Sequence, residues 1–368
     1  MQSSSVFDRN VWTVMGLPFD AVDNKQATEL LLHSINSRKK CFLTTPNLDF
    51  AIEGLQDHFF RRSVLNSDLV VADGMPIIWV AKFLGIPLPE RVAGSTLFDS
   101  LRFSSCTKPI RIFFFGGPEG IAEKACEVLQ SEKSALAPAG FHYPGFGSVE
   151  DMSRDDIIKK INDSNADFIV VALGAKKGQA WIELNQDKLS APALSHLGAV
   201  VNFVAGSVKR APMWMQSSGL EWIWRLLEES RLFNRYWHDG ISYLRILYRN
   251  VLPYRRYLKR QKLRLNFHNP FGFVVSHKQD CMTVLLSGDA CIDYILSLRE
   301  MCASSLKSGL NVTLDCSGLE NIDCAALGLF QLLEAELRKS GMSLSFKSVP
   351  PTIERIMCWN LVDYLLDG

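Results

Sequence analysis

The sequence has little of what marks a secreted, metal-loaded or membrane-spanning chain. Its nine cysteines (Cys41, Cys106, Cys126, Cys281, Cys291, Cys302, Cys316, Cys324, Cys358) are odd in number, scattered and free of any CxxC pair. That argues against a disulfide framework or a zinc site and for a reducing cytosol. Met1 to Asn10 is polar and lacks the apolar core of a signal peptide. No uninterrupted apolar stretch approaches the roughly 20 residues that span a bilayer. There is no HExxH, no carboxylate cluster, no internal repeat and no low-complexity tract, so neither a bound metal nor another cofactor is implied. A formal charge of +1 excludes no partner by itself.

What is present is a globular composition. The chain has 368 residues, 47% apolar and 21% charged, enough for a sizeable core and for more than one domain. Short apolar runs at Cys41 to Thr44, Leu69 to Ala72, Arg111 to Phe115, Phe168 to Leu173 and Ala199 to Val204 read as buried strands. Helical stretches such as Gly120 to Ser131 and Asp155 to Asn162 lie between them. The alternation predicts an α/β, Rossmann-like, mostly parallel sheet over residues 11–212. Ligands of such sheets sit beyond the carboxyl ends of the strands, so the polar residues that follow each run matter most.

Four clusters fall there: Thr45-Pro46-Asn47, Ala72-Asp73-Gly74, Arg91-Val92-Ala93-Gly94 and Gly116-Gly117-Pro118-Glu119-Gly120. A glycine-rich turn before a helix presents backbone N–H groups to a phosphate or carbonyl. Taken singly, an Asp-Gly pair is as much a helix cap or turn former as a base.

Over residues 213–268 the pattern turns helical, aromatic and basic. Trp214, Trp222, Trp224, Phe233, Tyr236 and Trp237 come first. Eight Lys/Arg then fall between Arg245 and Arg264 with no acidic residue among them. The segment reads either as an interfacial helix on anionic lipid or as a nucleic-acid patch with stacking aromatics. A lipid surface is the preferred partner and no nucleic acid is expected. Pro253 is expected to break the segment into two pieces. After Asn269-Pro270-Phe271-Gly272 a second small α/β unit is predicted over 273–368.

The ordered segments Thr45-Pro46-Asn47, Asp73-Gly74, Glu90 to Gly94, Phe115-Gly116-Gly117, Leu173-Gly174-Ala175, Arg210-Ala211-Pro212 and Gly219-Leu220-Glu221-Trp222 with Arg225 resemble the bacterial WecG/TagA/CpsF glycosyltransferases. The resemblance spans about Val11 to Trp237. It implies inverting, metal-independent transfer of an N-acetylhexosamine, often N-acetylmannosamine, from a UDP-sugar to a polyprenyl-pyrophosphate-linked sugar. It makes Asp73 the general base, with Thr45 and Asn47 beside the sugar and acceptor and Arg91 pairing with phosphate oxygens. Gly116, Gly117, Gln179, Arg225, Arg231 and Arg235 complete the substrate contacts, the arginines facing the departing diphosphate. A lipid-linked acceptor places the chain in the cytoplasm, peripheral on the inner membrane face. One departure stands out. Where the family commonly reads Pro-Lys-Gln-Glu-X-Trp, this chain has Lys176-Lys177-Gly178-Gln179-Ala180-Trp181. Gly178 takes the glutamine position, and this keeps open an alternative, a catalytically degenerate nucleotide-sugar-binding regulator.

The C-terminal segment from Val312 to Gly328 resembles a STAS domain, the fold of anti-sigma-factor antagonists. In signalling members a phosphorylated serine opens the helix after the second aspartate. Here that position is Cys324, so the resemblance implies a docking module for a protein partner in place of a phospho-switch.

Overall fold

The structure, a computed structural model, describes residues 5–105, 108–208, 211–212, 214–215, 221–228, 233–264, 269–278 and 281–367. The chain opens with a hairpin, β1 (Val11–Val14) and β2 (Leu17–Asp20), turned by Met15 and Gly16. Both turn residues have positive φ, 49° and 83°, the combination that matches strand twist in a two-residue turn. Six strands follow: β3 (Cys41–Thr44), β4 (Leu69–Val70), β5 (Ile110–Gly116), β6 (Leu136–His142), β7 (Phe168–Ala172) and β8 (Ala193–His196). They form one sheet in the order β4-β3-β8-β7-β5-β6, and every neighbouring pair is parallel.

Helices cover both faces of the sheet, which is why its central strands are mostly apolar on both sides rather than alternating. Ile112, Phe114 and Val170 pack under helices Asn24–Ser37, Gly94–Arg102, Ile121–Ser131 and Gly198–Val204. Phe113, Phe115, Ile169 and Val171 pack under Asp155–Asp163 and Ala175–Asn185. The helix after β5 thus lies on one face and the helix after β7 on the other. A sheet of this kind has its crevice where such neighbours part.

Two expectations are corrected. Residues 199–204 are not a strand but most of the helix Gly198–Val204, and the strand is the preceding Ala193–His196. Val200, Val201 and Val204 share one helical face toward the core, and a short apolar run does not by itself separate the two states. Nor does Pro253 break the basic segment. Helix Phe233–Ile246 passes through a π turn, Leu247–Val251, directly into helix Leu252–Arg264. In α geometry the proline ring would meet the carbonyl four residues back; the wider turn just before it moves that carbonyl aside. Among the described residues no helix is long and apolar enough to cross a membrane.

The C-terminal unit is a four-stranded sheet, β12 (Leu344–Lys347), β11 (Asn311–Ile322), β10 (Cys281–Ala290) and β9 (Gly272–Lys278), in that order. Only the β9–β10 pair is antiparallel. Its helix Cys324–Lys339 packs on this chain's own hairpin. Gly328 lets the two backbones meet, since a Cβ there would lie 3.0 Å from the Val11 carbonyl oxygen. Beside it, fully buried Gln331 accepts from the Thr13 hydroxyl (2.7 Å) and donates to the Gly16 carbonyl (2.8 Å). Cys324 is sealed in this unit, and burial, ahead of the neighbouring Asp323, pushes its thiol up to about 12. Desolvation therefore outweighs the helix N-terminus that would favour a thiolate.

Candidate functional site

The carboxyl ends of the parallel strands carry, in spatial order, Asp73 beyond β4, Thr45 and Asn47 beyond β3, His196 on β8, Gly174 beyond β7, Gly116 on β5 and His142 on β6. Neighbouring strands lie about 4.8 Å apart, so this row is long enough to span a nucleotide-sugar. Sequence neighbours alone did not place these residues side by side; the strand order does.

Asp73 is held from three directions. Its backbone N–H donates to the Pro46 carbonyl at 2.9 Å, which ties the loop after β4 to the loop after β3. Its Oδ1 accepts from Arg91 Nε at 3.3 Å, and Oδ2 accepts from the Gly94 N–H at 3.2 Å. Gly94 opens the helix Gly94–Arg102, so the carboxylate also faces a helix N-terminus, which favours negative charge. The Asp73 side chain remains 26% exposed and Arg91 only 16%. Arg91 Nη2 turns the other way and donates to Glu221 Oε2 at 2.6 Å. Burial alone would lower the Arg91 pKa; the carboxylates of Asp73 and Glu221 outweigh it and raise it. The guanidinium stays charged and locks both carboxylates in place. Glu221 belongs to the Gly-Leu-Glu-Trp motif, which by itself does not mark it as a site residue. Its signal was an acidic residue inside an otherwise apolar and basic motif.

Thr45 is buried beside the helix start at Gly94, where the missing side chain makes room for Leu197: a Cβ at 94 would lie 2.5 Å from Leu197 Cδ2. Asn47 caps helix Leu48–Gln56, its Oδ1 accepting from the Phe50 N–H at 3.1 Å. Gly74 lies against Asn47, with room for a Cβ only at 3.4 Å from the Asn47 Cα. At the other end of the row, Gly116 (φ 92°) and Gly117 (φ 87°) have left-handed backbones. The Gly117 N–H is committed to the Ala172 carbonyl at 2.7 Å, so it closes the β5–β7 crevice rather than facing it.

The departure at Gly178 has a steric explanation. A Cβ there would come within 2.2 Å of His196 Cδ2: the imidazole occupies the volume that a side chain at 178 would need. Burial drives the His196 pKa down to about 4, so the ring is neutral at pH 7, and its Nε2 finds no hydrogen-bond partner among the described residues. Gln179 points inward. It is 1% exposed, with Nε2 donating to Thr44 Oγ1 at 3.2 Å and Oε1 unpartnered among the described residues.

Of the three appendage arginines, Arg231 lies outside the described residues, as does Arg210 of the Arg-Ala-Pro motif. Arg225 falls in helix Glu221–Glu228, but its side chain is also outside what is described. Arg235 is exposed on the next helix, where its charge acts on Asp49 and Asp239. Asp49 follows Asn47 by two residues on helix Leu48–Gln56, against which the appendage helix carrying Asp239 packs. Burial first, then Asp49, raises the Asp239 carboxyl to about 6 against the pull of Arg235 and His238. His142 stacks on Phe115 with ring centroids 5.8 Å apart, and burial lowers its pKa.

Family models match both units of the chain. Residues 273–363 match the "Mlab, STAS domain" family model. A protein of Bacillus spizizenii named N-acetylglucosaminyldiphosphoundecaprenol N-acetyl-beta-D-mannosaminyltransferase is 28% identical over 201 residues, covering 55% of this chain and 76% of the relative. Its namesake in Bacillus subtilis is 29% identical, covering 53% and 74%. A namesake in Staphylococcus aureus strain MW2 is 24% identical, covering 60% and 86%. The family model described as "Glycosyl transferase WecG/TagA/CpsF family" matches residues 12–257, two-thirds of the chain including every strand-end residue described above, and the chain belongs to that glycosyl transferase family.

Proposed function

We propose that the protein transfers an N-acetylhexosamine, of the N-acetylmannosamine type, from a UDP-sugar to a polyprenyl-pyrophosphate-linked sugar, with inversion and without a metal. The carrying observation is the carboxylate of Asp73 at a strand end, fixed by Arg91 and the Gly94 N–H yet still 26% exposed. A sugar hydroxyl attacks an anomeric carbon poorly until a base takes its proton, and a positioned base contributes about 10²–10⁴-fold. Asp73 takes that proton as the new glycosidic bond forms and the bond to UDP breaks. Arg91, with the appendage arginines Arg225, Arg231 and Arg235, supplies positive charge for the phosphates and the departing diphosphate. Thr45 and Asn47 orient the sugar and acceptor. Gly116 and Gly117 shape the far end of the crevice, and Gln179 acts from beneath it.

The test is UDP release with a panel of UDP-N-acetylhexosamines and a lipid-linked acceptor. Asp73→Asn should lower turnover by about 10²-fold or more while UDP still binds. Unchanged turnover would remove Asp73 as the base. An unsubstituted chain that binds UDP-sugar and never releases UDP would favour the regulator reading.

We place the reaction at the inner face of the membrane. Phe233, Trp237, Ile241, Leu244 and Tyr248 are exposed at helical spacing, and exposed Arg245 and Arg249 flank them. An apolar stripe bordered by arginines suits an interfacial helix on anionic lipid. Cosedimentation with anionic vesicles should drop when Arg245, Arg249, Arg256, Lys259 and Arg260 become Gln; equal binding would refute the lipid surface.

A further inference from the structure

Helix Phe233–Ile246 and its continuation to Arg264 touch the two units on opposite sides. On the transferase side the helix packs on Leu48–Gln56, the helix that Asn47 caps. The Tyr243 hydroxyl donates to the Pro76 carbonyl at 3.4 Å, two residues beyond Gly74. The Arg255 guanidinium lies 5.5 Å from the ring centroid of Phe83, on the helix Met75–Leu84 that starts there. The helix therefore bears on both helices whose first turns adjoin the Asp73 loop.

On the other side it is gripped by the C-terminal unit. Tyr254 is 2% exposed, and its hydroxyl accepts from the Cys324 thiol at 3.7 Å; the same thiol lies 3.3 Å from Asn360 Oδ1. Asn250 Nδ2 donates to the Cys358 carbonyl at 2.9 Å, and Tyr257 donates to Asn321 Oδ1 at 3.2 Å. Trp359 packs against both tyrosine rings, with centroids 6.3 and 5.7 Å away. The helix shares one continuous apolar core with this unit and with the hairpin. Cys324, at the position where a signalling STAS domain would carry its phosphorylated serine, is thus covered by a tyrosine of the transferase appendage.

We propose that the C-terminal domain is an intramolecular positioning domain for the transferase site, and that Tyr254 is the positioning residue through which it holds the appendage helix against the Asn47 and Asp73 loops. Side chains packed into one core move together, while a helix held only by exposed charges frays. Here Arg235 with Asp49 and Asp239 lies at one end, and the buried grip of Tyr254 with Asn250 and Tyr257 lies at the other. Loss of the dry grip should free the charged end and loosen the cleft rim. In its use of turnover the proposal rests on the transfer reading above; its exchange readout does not.

The experiment uses the full chain with Tyr254→Ala and the conservative Tyr254→Phe. Hydrogen exchange read by mass spectrometry should rise about tenfold over 233–251 and over the rim residues 47–50 and 74–78 in Tyr254→Ala, while β5 and β7 keep their protection. The Cys324 thiol should become open to maleimide. Turnover should fall about tenfold with little change in KM for the UDP-sugar, because the rim and not the donor crevice is disturbed. Tyr254→Phe keeps the ring and should restore most of each readout. Unchanged exchange over 233–251 would overturn the grip. A released helix with an unchanged rim and full turnover would overturn the positioning role and leave the domain a stabiliser only. If Tyr254→Ala does not fold, Asn250→Ala is judged by the same criteria. A native chain that releases no UDP counts against the transfer reading, and the exchange comparison still decides the hold.

Discussion

The rim and the floor of the cleft are built from opposite materials. At the rim, Asp73, Arg91 and Glu221 are all charged and keep 26%, 16% and 10% of their side-chain surface. Two strands along, at the floor, His196 is neutral and wedged against Gly178, and Gln179 is turned into the interior. Charge is kept where water still reaches it, because an ion taken fully out of water loses more solvation than a partner returns. At the floor, close packing decides, and small changes in volume are felt.

The largest expected effect belongs to the rim. Arg91→Ala leaves two carboxylates without their shared cation and should destabilise the fold by about 2–4 kcal/mol, read by urea unfolding. Turnover should fall as well, since Asp73 loses its orienting partner. A variant that keeps full stability would mean that the Asp73–Arg91–Glu221 chain does not hold the rim.

At the floor, Gly178→Gln should cost about 1–3 kcal/mol by overpacking against His196. Adding His196→Gly in the same chain should recover most of that loss, a strong coupling for two side chains that compete for one volume. Simple additivity of the two melting shifts would sink this account of the glycine.

The smallest effect tests the seam where the appendage helix meets helix Leu48–Gln56 behind the rim. The Asp239 carboxyl is raised to about 6 in the fold, chiefly by burial. A raised pKa means that the folded state holds the proton more tightly. Stability from this group is therefore present below the unfolded carboxylate range near 3.8 and is lost as pH rises through about 6. Asp239→Asn should raise the melting temperature slightly at pH 7, with the gain vanishing near pH 4. A gain that grows toward low pH would reverse the assignment.

Much of the architecture was legible residue by residue. Cys41 to Thr44, Arg111 to Phe115 and Phe168 to Leu173 read as strands because a doubly covered sheet leaves no polar face. Asp73, Arg91, Thr45 and Asn47 stood out as polar residues just beyond such runs. Ala199 to Val204 misled because its valines suit a strand as well as a helix face. Glu221 was hidden for another reason: it reaches Arg91 across 130 residues of chain, and no local pattern reports such a contact. In sequence the Gly178 departure reads as a missing contact; in the fold His196 takes that volume.

The sequence by itself determined the periodicities, the apolar strands, the basic and aromatic appendage, and the polar residues at the strand ends, because each is a local property of neighbouring side chains. Only the tertiary structure decided that Arg91 joins Asp73 to Glu221, that His196 claims the space at Gly178, and that Tyr254 covers Cys324. Those contacts exist because the chain closes on itself at close packing, where the position of one side chain is fixed by the volume and charge of others far away in sequence.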